Sequence, residues 1–377
     1  MSPRLHVAAV VGARPNFMKM APVMAALQRR PDEFRSTLVH TGQHYDDDMS
    51  RIFLDQLGVG APDHMLDVGS GSHAAQTARV MERLEPVLQA ERPDVLLVPG
   101  DINSTLAAAL VGAKLGIAIG HVEAGLRSFD RTMPEELNRI VTDQLSGALF
   151  IHSPEARDNL VREGVDPERV HAVGNTMIDT LEAMLPAIRQ LQAARAHGLP
   201  TGGYLVVTLH RPALVDGARL DEAVAALDAV AEQLPVVFPV HPRTRAALDR
   251  RGLSFASPGV KLLDPVGYLE FLSLVETSAG VLTDSGGIQE ETTHLGIPCF
   301  TLRDNTERPV TCHEGTNVLL GLAPERIREL PELIKRSPGL AGAGPEGWDG
   351  RAAERIVDVL AAGIPEWDPA ALAQLSQ

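Results

Sequence analysis

The sequence predicts an α/β fold with two domains, each built on a parallel β-sheet. Short apolar runs rich in β-branched residues alternate with turns and with helical patterns of about 10 to 15 residues, which is typical of βαβ units. The chain has 377 residues, and a domain usually takes roughly 150 residues. Two domains of ordinary size therefore fit both the pattern and the length.

The apolar runs form two sets, which we interpret as two Rossmann-type sheets. In the first half of the chain they are residues 7–11, 37–40, 95–98, 117–122 and 148–151. In the second half they are residues 204–208, 236–240, 260–263, 281–283 and 299–302. We expect an N-terminal domain at 1–173 and a C-terminal domain at 174–365, with a helix from about Met177 towards Pro200 after the junction.

The composition argues against several classes of protein. The formal net charge of −15 disfavours nucleic acid and anionic membrane surfaces as partners. No apolar run reaches the ~20 residues of a membrane span, and the N-terminus lacks the features of a signal peptide. The two cysteines, Cys299 and Cys312, are too few for a disulfide framework and lack metal-ligand spacing. We therefore expect a soluble, cytoplasmic protein.

Polar and charged residues follow almost every predicted strand. In open parallel sheets, ligands bind beyond the carboxyl ends of the strands. Any one of these residues has an alternative role in a cap or a turn, but histidine, arginine and carboxylates at so many strand ends together indicate a ligand site. The segments are residues 12–15, 41–44, 100–101, 121–125, 210–211, 241–243 and 283–287.

The segment from Ser285 to Glu291 follows a predicted strand and begins a helix. Gly286 and Gly287 have no Cβ, so backbone N–H groups there can approach a phosphate, and the helix start adds about half a positive charge. Glu291 is suited to accept hydrogen bonds from ribose hydroxyls. The alternatives are an ordinary serine N-cap with a tight glycine turn, and a surface glutamate. We interpret the segment as a diphosphate site.

A second helix start, after the run at 7–11, carries basic residues. Pro15 suits the first helical position, and Arg14 and Lys19 are close enough in sequence to hold one anion there. The segment has neither the G-x-G-x-x-G pattern nor the G-x-x-x-x-G-K-[ST] pattern. NAD and ATP are therefore disfavoured as ligands.

Three carboxylates stand at strand ends or helix starts in the first half: Asp101, Glu123 and Glu135. Like charges close together raise one another's pKa values, which makes proton transfer feasible. No H-x-x-E, H-x-H or D-x-D spacing accompanies them, so we expect acid–base chemistry and no metal. Each also has an alternative role as a cap or turn residue, and Glu135 as an acid that complements a helix dipole.

Histidines follow two predicted strands of the second half. His210 precedes Arg211, and His241 comes two residues before Arg243. A protonated histidine beside a diphosphate would stabilise the charge of a leaving group. The alternative for either histidine is a strand-end side chain bonded to backbone.

These motifs, together with Asn138-Arg139 and the segment 303–309, resemble the non-hydrolysing UDP-N-acetylglucosamine 2-epimerase family, in order and over nearly the whole chain. The resemblance implies a GT-B-like architecture, with two Rossmann-type domains facing a central cleft. It also implies a homodimer, no cofactor, and a C-terminal helix at about 366–377 that packs back on the first domain. The implied setting is polysaccharide or amino-sugar biosynthesis.

By matching positions, the resemblance assigns roles to individual residues. Catalytic roles fall to Asp101, Glu123, Glu135 and His210. Contacts with UDP fall to Arg14, Phe271, Ser285, Gly286, Gly287 and Glu291. The residues around the diphosphate and the sugar are Lys19, Arg139, His241 and Arg308.

The implied reaction interconverts UDP-N-acetylglucosamine and UDP-N-acetylmannosamine. The proton on C2 of the sugar is not α to a carbonyl, so its direct removal is hard. Elimination of UDP across C1 and C2 gives 2-acetamidoglucal, to which UDP adds back. Carboxylates on both faces of the ring would remove and return the proton, while cations stabilise the leaving diphosphate.

The sequence leaves alternatives open. The stretch Gln43-His44-Tyr45-Asp46 also resembles relatives that act on UDP-2,3-diacetamido-glucuronate, which would differ at C3 and C6 of the sugar. A hydrolysing 2-epimerase would release N-acetylmannosamine, and a GT-B glycosyltransferase shares the fold and donor site but needs an acceptor. A sugar-nucleotide-binding regulatory protein with an inactive site is a further alternative, from a different class.

Overall fold

Two parallel β-sheets organise the part of the chain that the structure, a computed structural model, describes: residues 4–42, 60–337 and 344–364. The described residues up to Ala183 and those from Glu346 onward form one compact unit. A second unit runs from Met184 to Pro345. Each unit contains one of the sheets, so the predicted two-domain α/β fold is confirmed.

The first unit contains a seven-stranded sheet. Its strands are β1 (Leu5–Val11), β2 (Phe34–His40), β3 (His64–Met65), β4 (Val95–Pro99), β5 (Ala118–Val122), β6 (Ala148–Ile151) and β7 (Val170–Ala172). The helices before the second unit are α1 (Arg14–Gln28), α2 (His73–Glu91), α3 (Asn103–Leu115), α4 (Pro134–Leu145), α5 (Pro154–Arg162), the 3₁₀ turn Pro167–Arg169 and α6 (Thr176–Leu191), which continues into the second unit.

The second unit contains a six-stranded sheet. Its strands are β8 (Leu205–Thr208), β9 (Val236–Pro239), β10 (Val260–Leu263), β11 (Gly280–Thr283), β12 (Cys299–Thr301) and β13 (Asn317–Leu319). Its helices are α7 (Ala193–Ala196), α8 (Pro212–Val215), α9 (Arg219–Ala231), α10 (Pro242–Arg251), α11 (Tyr268–Glu276), α12 (Gly287–Leu295), α13 (Val310–His313), the 3₁₀ segment Pro324–Glu329 and α14 (Leu330–Arg336). The chain then returns to the first unit with α15 (Ala352–Ala362). Within the described ranges, no helix is long and apolar enough to cross a membrane.

Both faces of the central strand β1 are buried, which explains its continuous apolar run. Val7, Ala9 and Val11 lie in a core that includes side chains of α1. Ala8 and Val10 lie in a second core with side chains of α2 and α3. Because side chains alternate across a strand, a sheet covered by helices on both faces needs apolar residues at every position.

Helix α15 completes the first of these cores. Ala353, Ile356, Val357 and Leu360 are buried there with residues of α1. Asp179 of α6 accepts hydrogen bonds from the backbone N–H groups of Ala352 and Ala353, at 3.1 and 2.7 Å. Residues 346–362 therefore pack in the first unit, although we expected the second domain to extend to residue 365. The first boundary also differs from the expected one, since the chain changes units inside α6 and not near Gly174.

Three strands were absent from the sequence analysis: β3, β7 and β13. Each has two or three residues, at least one of them partly or fully exposed. They lie at the edges of the two sheets. A segment this short gives no periodic pattern, so its strand conformation is decided by pairing with a neighbour.

The two sheets share the same type of strand order. The order is β3-β2-β1-β4-β5-β6-β7 in the first sheet and β10-β9-β8-β11-β12-β13 in the second. This is the Rossmann order, in which the winding direction reverses on the two sides of the first strand. The reversal points lie between β1 and β4 and between β8 and β11, and ligands bind at such points.

Candidate active site

The first group of site residues lies beyond the ends of β1, β4 and β5. The last residues of β4 and β5 pair with each other, so Asp101 and Glu123 leave neighbouring strands. Between β4 and Asp101, Gly100 has a φ of +64°, and a Cβ there would lie 2.9 Å from Nζ of Lys19. Glycine at this position therefore allows both the turn and the close approach of α1.

Glu123 has an unusual backbone. Its φ of +69° lies in the left-handed region, which costs on the order of 1–3 kcal/mol for a residue with a side chain. The N–H groups of Glu123 and Ala124 both donate to the carbonyl oxygen of Phe150, each at 3.1 Å. The carboxylate is buried and lies 2.8 Å from Nζ of Lys19. Strain of this kind is concentrated at functional sites, which supports the predicted importance of Glu123.

Asp101 is held by Arg139 of α4. Nη1 of Arg139 donates to Oδ2 of Asp101 at 2.5 Å, and Nη2 donates to Oε2 of Glu136 at 2.6 Å. Glu136 also accepts hydrogen bonds from the backbone N–H groups of Ser128 and Phe129, both at 2.9 Å. Burial opposes ionisation of Glu136, but the bonds from Ser128 and Arg139 hold its pKa below the usual value. Arg139, expected around the diphosphate and the sugar, contacts two carboxylates.

Two further predicted residues stand at helix starts. Glu135 is half-buried in the first turn of α4, directly after Pro134. A carboxylate at this position interacts favourably with the helix dipole. Arg14 is the first residue of α1. The structure therefore places Asp101 and Glu123 after two neighbouring strands, brings Lys19 to Glu123, and places Glu135 at the start of a helix in the same unit.

A buried network beneath these residues was not recognised as functional from the sequence. His121 lies 2.6 Å from Asp143 through Nδ1, and its Nε2 donates to the carbonyl oxygen of Gly100 at 2.7 Å. Arg127 pairs with Asp143 at 2.7 Å and with Glu163 at 2.6 Å. The available signal was the histidine at the end of β5, which we considered only as part of the segment 121–125. The network fixes the turn that carries Asp101.

The second group of site residues lies beyond the ends of β8 and β11, which pair through Thr208 and Thr283. Asp284, directly after β11, is buried. Its Oδ2 atom accepts the backbone N–H groups of His210 and Arg211 at 2.8 and 2.7 Å, and its Oδ1 atom lies 3.0 Å from Nδ1 of His210. The predicted residue His210 is thus tied to the end of the neighbouring strand.

His241 lies next to His210, with ring centroids 5.4 Å apart. It is the N-cap of α10, where its Nδ1 accepts the backbone N–H of Arg243 at 3.1 Å. Burial and the neighbouring His210 lower the pKa of His241. The structure therefore brings the two predicted histidines together and gives His241 a cap role as well.

The glycine-containing turn leads into α12, as predicted. The N-cap is Gly286, with no side-chain capping bond, so Ser285 does not act as an ordinary serine N-cap. The backbone N–H of Ser285 donates instead to Oγ1 of Thr283 at 2.9 Å. A helix start without a side-chain cap is suited to an anion, because its N–H groups and dipole are directed at the same point.

Arg308 packs against this turn. A Cβ on Gly286 would lie 2.8 Å from Nη1 of Arg308, so the glycine makes room for the guanidinium. Nε of Arg308 lies 3.0 Å from Oε1 of Glu290 and Nη1 lies 3.7 Å from Oε2 of Glu307. Burial favours the neutral form of Glu307. The hydrogen bond from Arg303 and the charges of Arg303 and Arg308 nevertheless hold its pKa at about 2. A fixed cation therefore stands beside the start of α12.

Glu291 and Phe271 lie on neighbouring helices, α12 and α11. The hydroxyl of Tyr268, one turn before Phe271, donates to Oε1 of Glu291 at 2.8 Å. Glu291 is buried and therefore is not the surface glutamate of the alternative interpretation. Tyr268 was not predicted, since nothing in the sequence relates it to Glu291.

Two predicted segments lie outside the described residues. They are the stretch Gln43-His44-Tyr45-Asp46 and the C-terminal helix expected at about 366–377.

The fold and the two groups of residues define a class of α/β protein with two Rossmann-type domains. One domain carries carboxylates that are each paired with a cation. The other carries a helix start that is suited to bind an anion. Such features are typical of enzymes that act on phosphate-bearing substrates. Residues 25–361 match the family described as UDP-N-acetylglucosamine 2-epimerase. The chain belongs to this family.

Individual relatives cover almost the whole chain. The UDP-N-acetylglucosamine 2-epimerase of Methanococcus maripaludis is 41% identical over 360 residues, covering 93% of this chain and 97% of the relative. The UDP-2,3-diacetamido-2,3-dideoxy-D-glucuronate 2-epimerase of Pseudomonas aeruginosa is 42% identical over 369 residues, covering 95% and 99%. The crystal structure of Methanocaldococcus jannaschii UDP-GlcNAc 2-epimerase in complex with UDP-GlcNAc and UDP superposes with a TM-score of 0.85 at 38% identity, covering 95% and 100%.

These comparisons confirm the family and the GT-B-like pair of Rossmann-type domains that the sequence predicted. The roles of the individual side chains stay predictions.

Proposed function

We propose that the protein is an isomerase that interconverts UDP-N-acetylglucosamine and UDP-N-acetylmannosamine by elimination of UDP and its re-addition to 2-acetamidoglucal. The observation that carries the proposal is the placement of Asp101 and Glu123 at the ends of two paired strands, each beside a cation. Carboxylates held in this way can take a proton from the sugar and return one. Membership of the family supports the same reaction.

Proton transfer at C2 is the role we assign to the first unit. Lys19 orients the Glu123 carboxylate and Arg139 orients that of Asp101. Glu135, in the first turn of α4, supplies a third acid. An acid or base held in the correct position contributes roughly 10²- to 10⁴-fold to the rate. The cations therefore contribute by fixing the positions of the carboxylates as well as by their charge.

Binding UDP and stabilising its departure is the role we assign to the second unit. The start of α12 and Arg308 would bind the diphosphate, with His210 and His241 nearby. Phe271 and Glu291 would contact the nucleoside, and Arg14 of the first unit would contact UDP. Fixed positive potential of this kind stabilises a leaving group without reorganisation.

The test is an NMR time course with UDP-N-acetylglucosamine in D₂O, without added metal or NAD. We expect UDP-N-acetylmannosamine to form, with solvent deuterium at C2 of the product. EDTA should leave the rate unchanged. Free N-acetylmannosamine as the product would indicate the hydrolysing reaction, and product without deuterium at C2 would contradict the elimination mechanism.

Single-residue variants test the roles proposed for the carboxylates and for Arg14. Asp101→Asn, Glu123→Gln and Glu135→Gln should each lose about 10²- to 10⁴-fold in kcat while UDP affinity, measured by calorimetry, stays near the wild-type value. Arg14→Ala should weaken UDP binding instead. Glu168→Gln, in an exposed turn of the same unit, is the matched control. Near-normal turnover in all three carboxylate variants would contradict the assignment.

A second candidate substrate is UDP-2,3-diacetamido-2,3-dideoxy-D-glucuronate. The observation that favours it is the 42% identity to the P. aeruginosa enzyme named for that sugar. Elimination at C1 and C2 is the same for both sugars, so the proposed mechanism is unaffected. A comparison of kcat/KM for the two substrates decides between them.

We also propose that the protein works in the cytoplasm as a homodimer. The resemblance stated above supports the dimer. Neither Cys299 nor Cys312 is in a disulfide, which fits a reducing compartment.

A further inference from the structure

We propose that Asp284 is a positioning residue that keeps a proton on Nδ1 of His210 and directs Nε2 of that ring towards the ligand. The inference rests on the proposed function, in which His210 stabilises the departing diphosphate. The sequence indicated Asp284 only as part of the strand-end segment 283–287.

The first step is the geometry of the carboxylate. The Oδ2 atom of Asp284 accepts two backbone N–H groups, those of His210 and Arg211. The Oδ1 atom has no hydrogen bond with good geometry among the described residues, but Nδ1 of His210 lies 3.0 Å from it. One oxygen therefore holds the backbone after β8, and the other faces the imidazole.

The second step is the charge of Asp284. Burial favours the neutral acid, but the contact with the His210 ring and the two backbone N–H groups hold the pKa of Asp284 below its ordinary value. An ionised carboxylate only accepts hydrogen bonds. A proton on the nitrogen 3.0 Å away is favoured over a lone pair there, so we assign the ring proton to Nδ1. The second ring nitrogen, Nε2, belongs to a side chain that is 36% exposed and can reach a ligand.

The third step separates the two histidines. His241 accepts a backbone N–H at Nδ1, so a capping His241 has its proton on Nε2 and is neutral. The charged or titratable groups around His210 are Asp284, His241 and, next in sequence, Arg211, whose own surroundings include Arg303, Glu307 and Arg308. Nδ1 of His210 lies 3.0 Å from Asp284, whereas Nδ1 of His241 accepts a backbone N–H, so the carboxylate orients the His210 ring.

A histidine oriented by a buried carboxylate is a general device of acid–base catalysis. The carboxylate fixes the tautomer and stabilises the imidazolium, and the opposite nitrogen meets the reacting group. Here Nε2–H of the His210 imidazolium would donate to the diphosphate as the C1–O bond breaks, and the proton would return to His210 when UDP adds back. Asp284 itself does not gain or lose a proton.

The variant that tests this is Asp284→Asn. An asparagine oxygen can still accept the two backbone N–H groups, but its amide N–H would face Nδ1 of His210 and require that nitrogen to be unprotonated. We expect kcat to fall by about 10²- to 10⁴-fold, with UDP affinity within about threefold of wild type. Asp216→Asn, which removes an exposed partner of Arg243, is the matched control and should keep full activity.

The ring tautomer gives a readout that does not depend on activity. In ¹⁵N-histidine-labelled protein, the His210 signals are assigned by their loss in His210→Gln. At a pH where the His210 ring is neutral, we expect its proton on Nδ1 in the wild type and on Nε2 in Asp284→Asn, while thermal unfolding and UDP binding establish that the variant is folded. An unchanged tautomer in the folded variant would overturn the inference even if turnover is lost.

A double-mutant cycle completes the test. If Asp284 acts only through His210, adding Asp284→Asn to His210→Gln should reduce kcat by less than about twofold further, since the two changes remove one function. Independent, multiplying losses would overturn the inference. Failure of the proposed function gives a different result. If His210→Gln retains normal kcat, His210 has no catalytic role. The tautomer experiment still decides whether Asp284 controls the protonation of the His210 ring.

Discussion

Lys19 and Glu123, to which we assign roles in the proposed reaction, form a buried ion pair. Both side chains are less than a tenth exposed, at 8% and 5%, and their charged atoms are 2.8 Å apart. When one member of a buried ion pair is removed, the other keeps the cost of burial and loses the attraction of that partner. The pair therefore links the stability of the first unit to the chemistry we propose for Glu123.

This linkage predicts a non-additive effect on stability. Lys19→Met and Glu123→Gln should each lower the free energy of unfolding by about 3–5 kcal/mol, because each removes one member of a buried ion pair. The double variant should be more stable than either single variant. Urea unfolding of the four proteins measures the coupling, and additive losses would show that the two charges do not depend on each other.

Asp101 and His121 show what could and could not be predicted at this scale. The carboxylates of the first unit were found because strand ends in parallel sheets form ligand sites. Arg139 belongs to a motif identified in the sequence, but no spacing rule shows that it bridges Asp101 and Glu136. The contact between His121 and Asp143 joins residues 22 positions apart and depends on how α4 packs on β5.

At the scale of single elements, the start of α12 depends on a missing side chain. Gly286 has a φ of −74°, which any residue can adopt, so the need for glycine is steric. A Cβ would meet the guanidinium of Arg308, which is held by Glu290 and Glu307. The glycine therefore makes room for the arginine at the helix start that we propose binds the diphosphate.

We expect Gly286→Ala to weaken UDP binding by about tenfold, equal to ~1.4 kcal/mol, because the methyl group displaces Arg308. The fold should be retained, since the backbone conformation is allowed. Gly217→Ala is the control, because a Cβ at Gly217 meets no atom within 4 Å. Calorimetric titration with UDP compares the two, and equal affinities would contradict the steric explanation.

Helix α15 has a start that responds to pH. Asp179 accepts the N–H groups of Ala352 and Ala353, yet burial raises its pKa from 3.8 to about 6. Because the pKa in the folded protein lies above that of the unfolded chain, folding binds a proton. The stability that this contributes is complete below about pH 4 and is lost as the pH rises through about 6.

Asp179→Asn cannot ionise and should lack this loss. Between pH 4.5 and 7.5 the wild type should lose about 2 kcal/mol of unfolding free energy relative to the variant. The control is Asp358→Asn. Asp358 is an exposed residue of α15 that pairs with Arg30. Its variant should differ from wild type in unfolding free energy by nearly the same amount at both pH values. Urea unfolding at the two pH values measures the stability of both variants and of the wild type. If the difference between Asp179→Asn and wild type is the same at both pH values, Asp179 does not titrate in this range.

At the scale of the whole molecule, the alternation of apolar runs and helical patterns was enough to predict two parallel sheets. This prediction succeeded because strands that are covered by helices on both faces are apolar at every position, as in β1. The unit boundaries needed more information. Residues 346–362 follow the second unit in sequence, and only the packing of Ile356 and Leu360 in the first core assigns α15 there.

The oligomeric state is the whole-molecule property we expect from the resemblance alone. A homodimer of this chain should sediment at about twice the monomer mass of 40.4 kDa in analytical ultracentrifugation. UDP should leave that mass unchanged. A monomer at micromolar concentration would contradict the expected dimer while leaving the proposed reaction intact.

The return of α15 to the first unit sets the order of events during protein synthesis. A ribosome that has completed the seven strands of the first sheet has not yet made Ala353, Ile356, Val357 or Leu360, which share a core with α1. The whole second unit must be translated before those side chains emerge. The domain that begins first is therefore the one that finishes last, and until then the nascent chain carries an apolar surface on α1 for chaperones to cover.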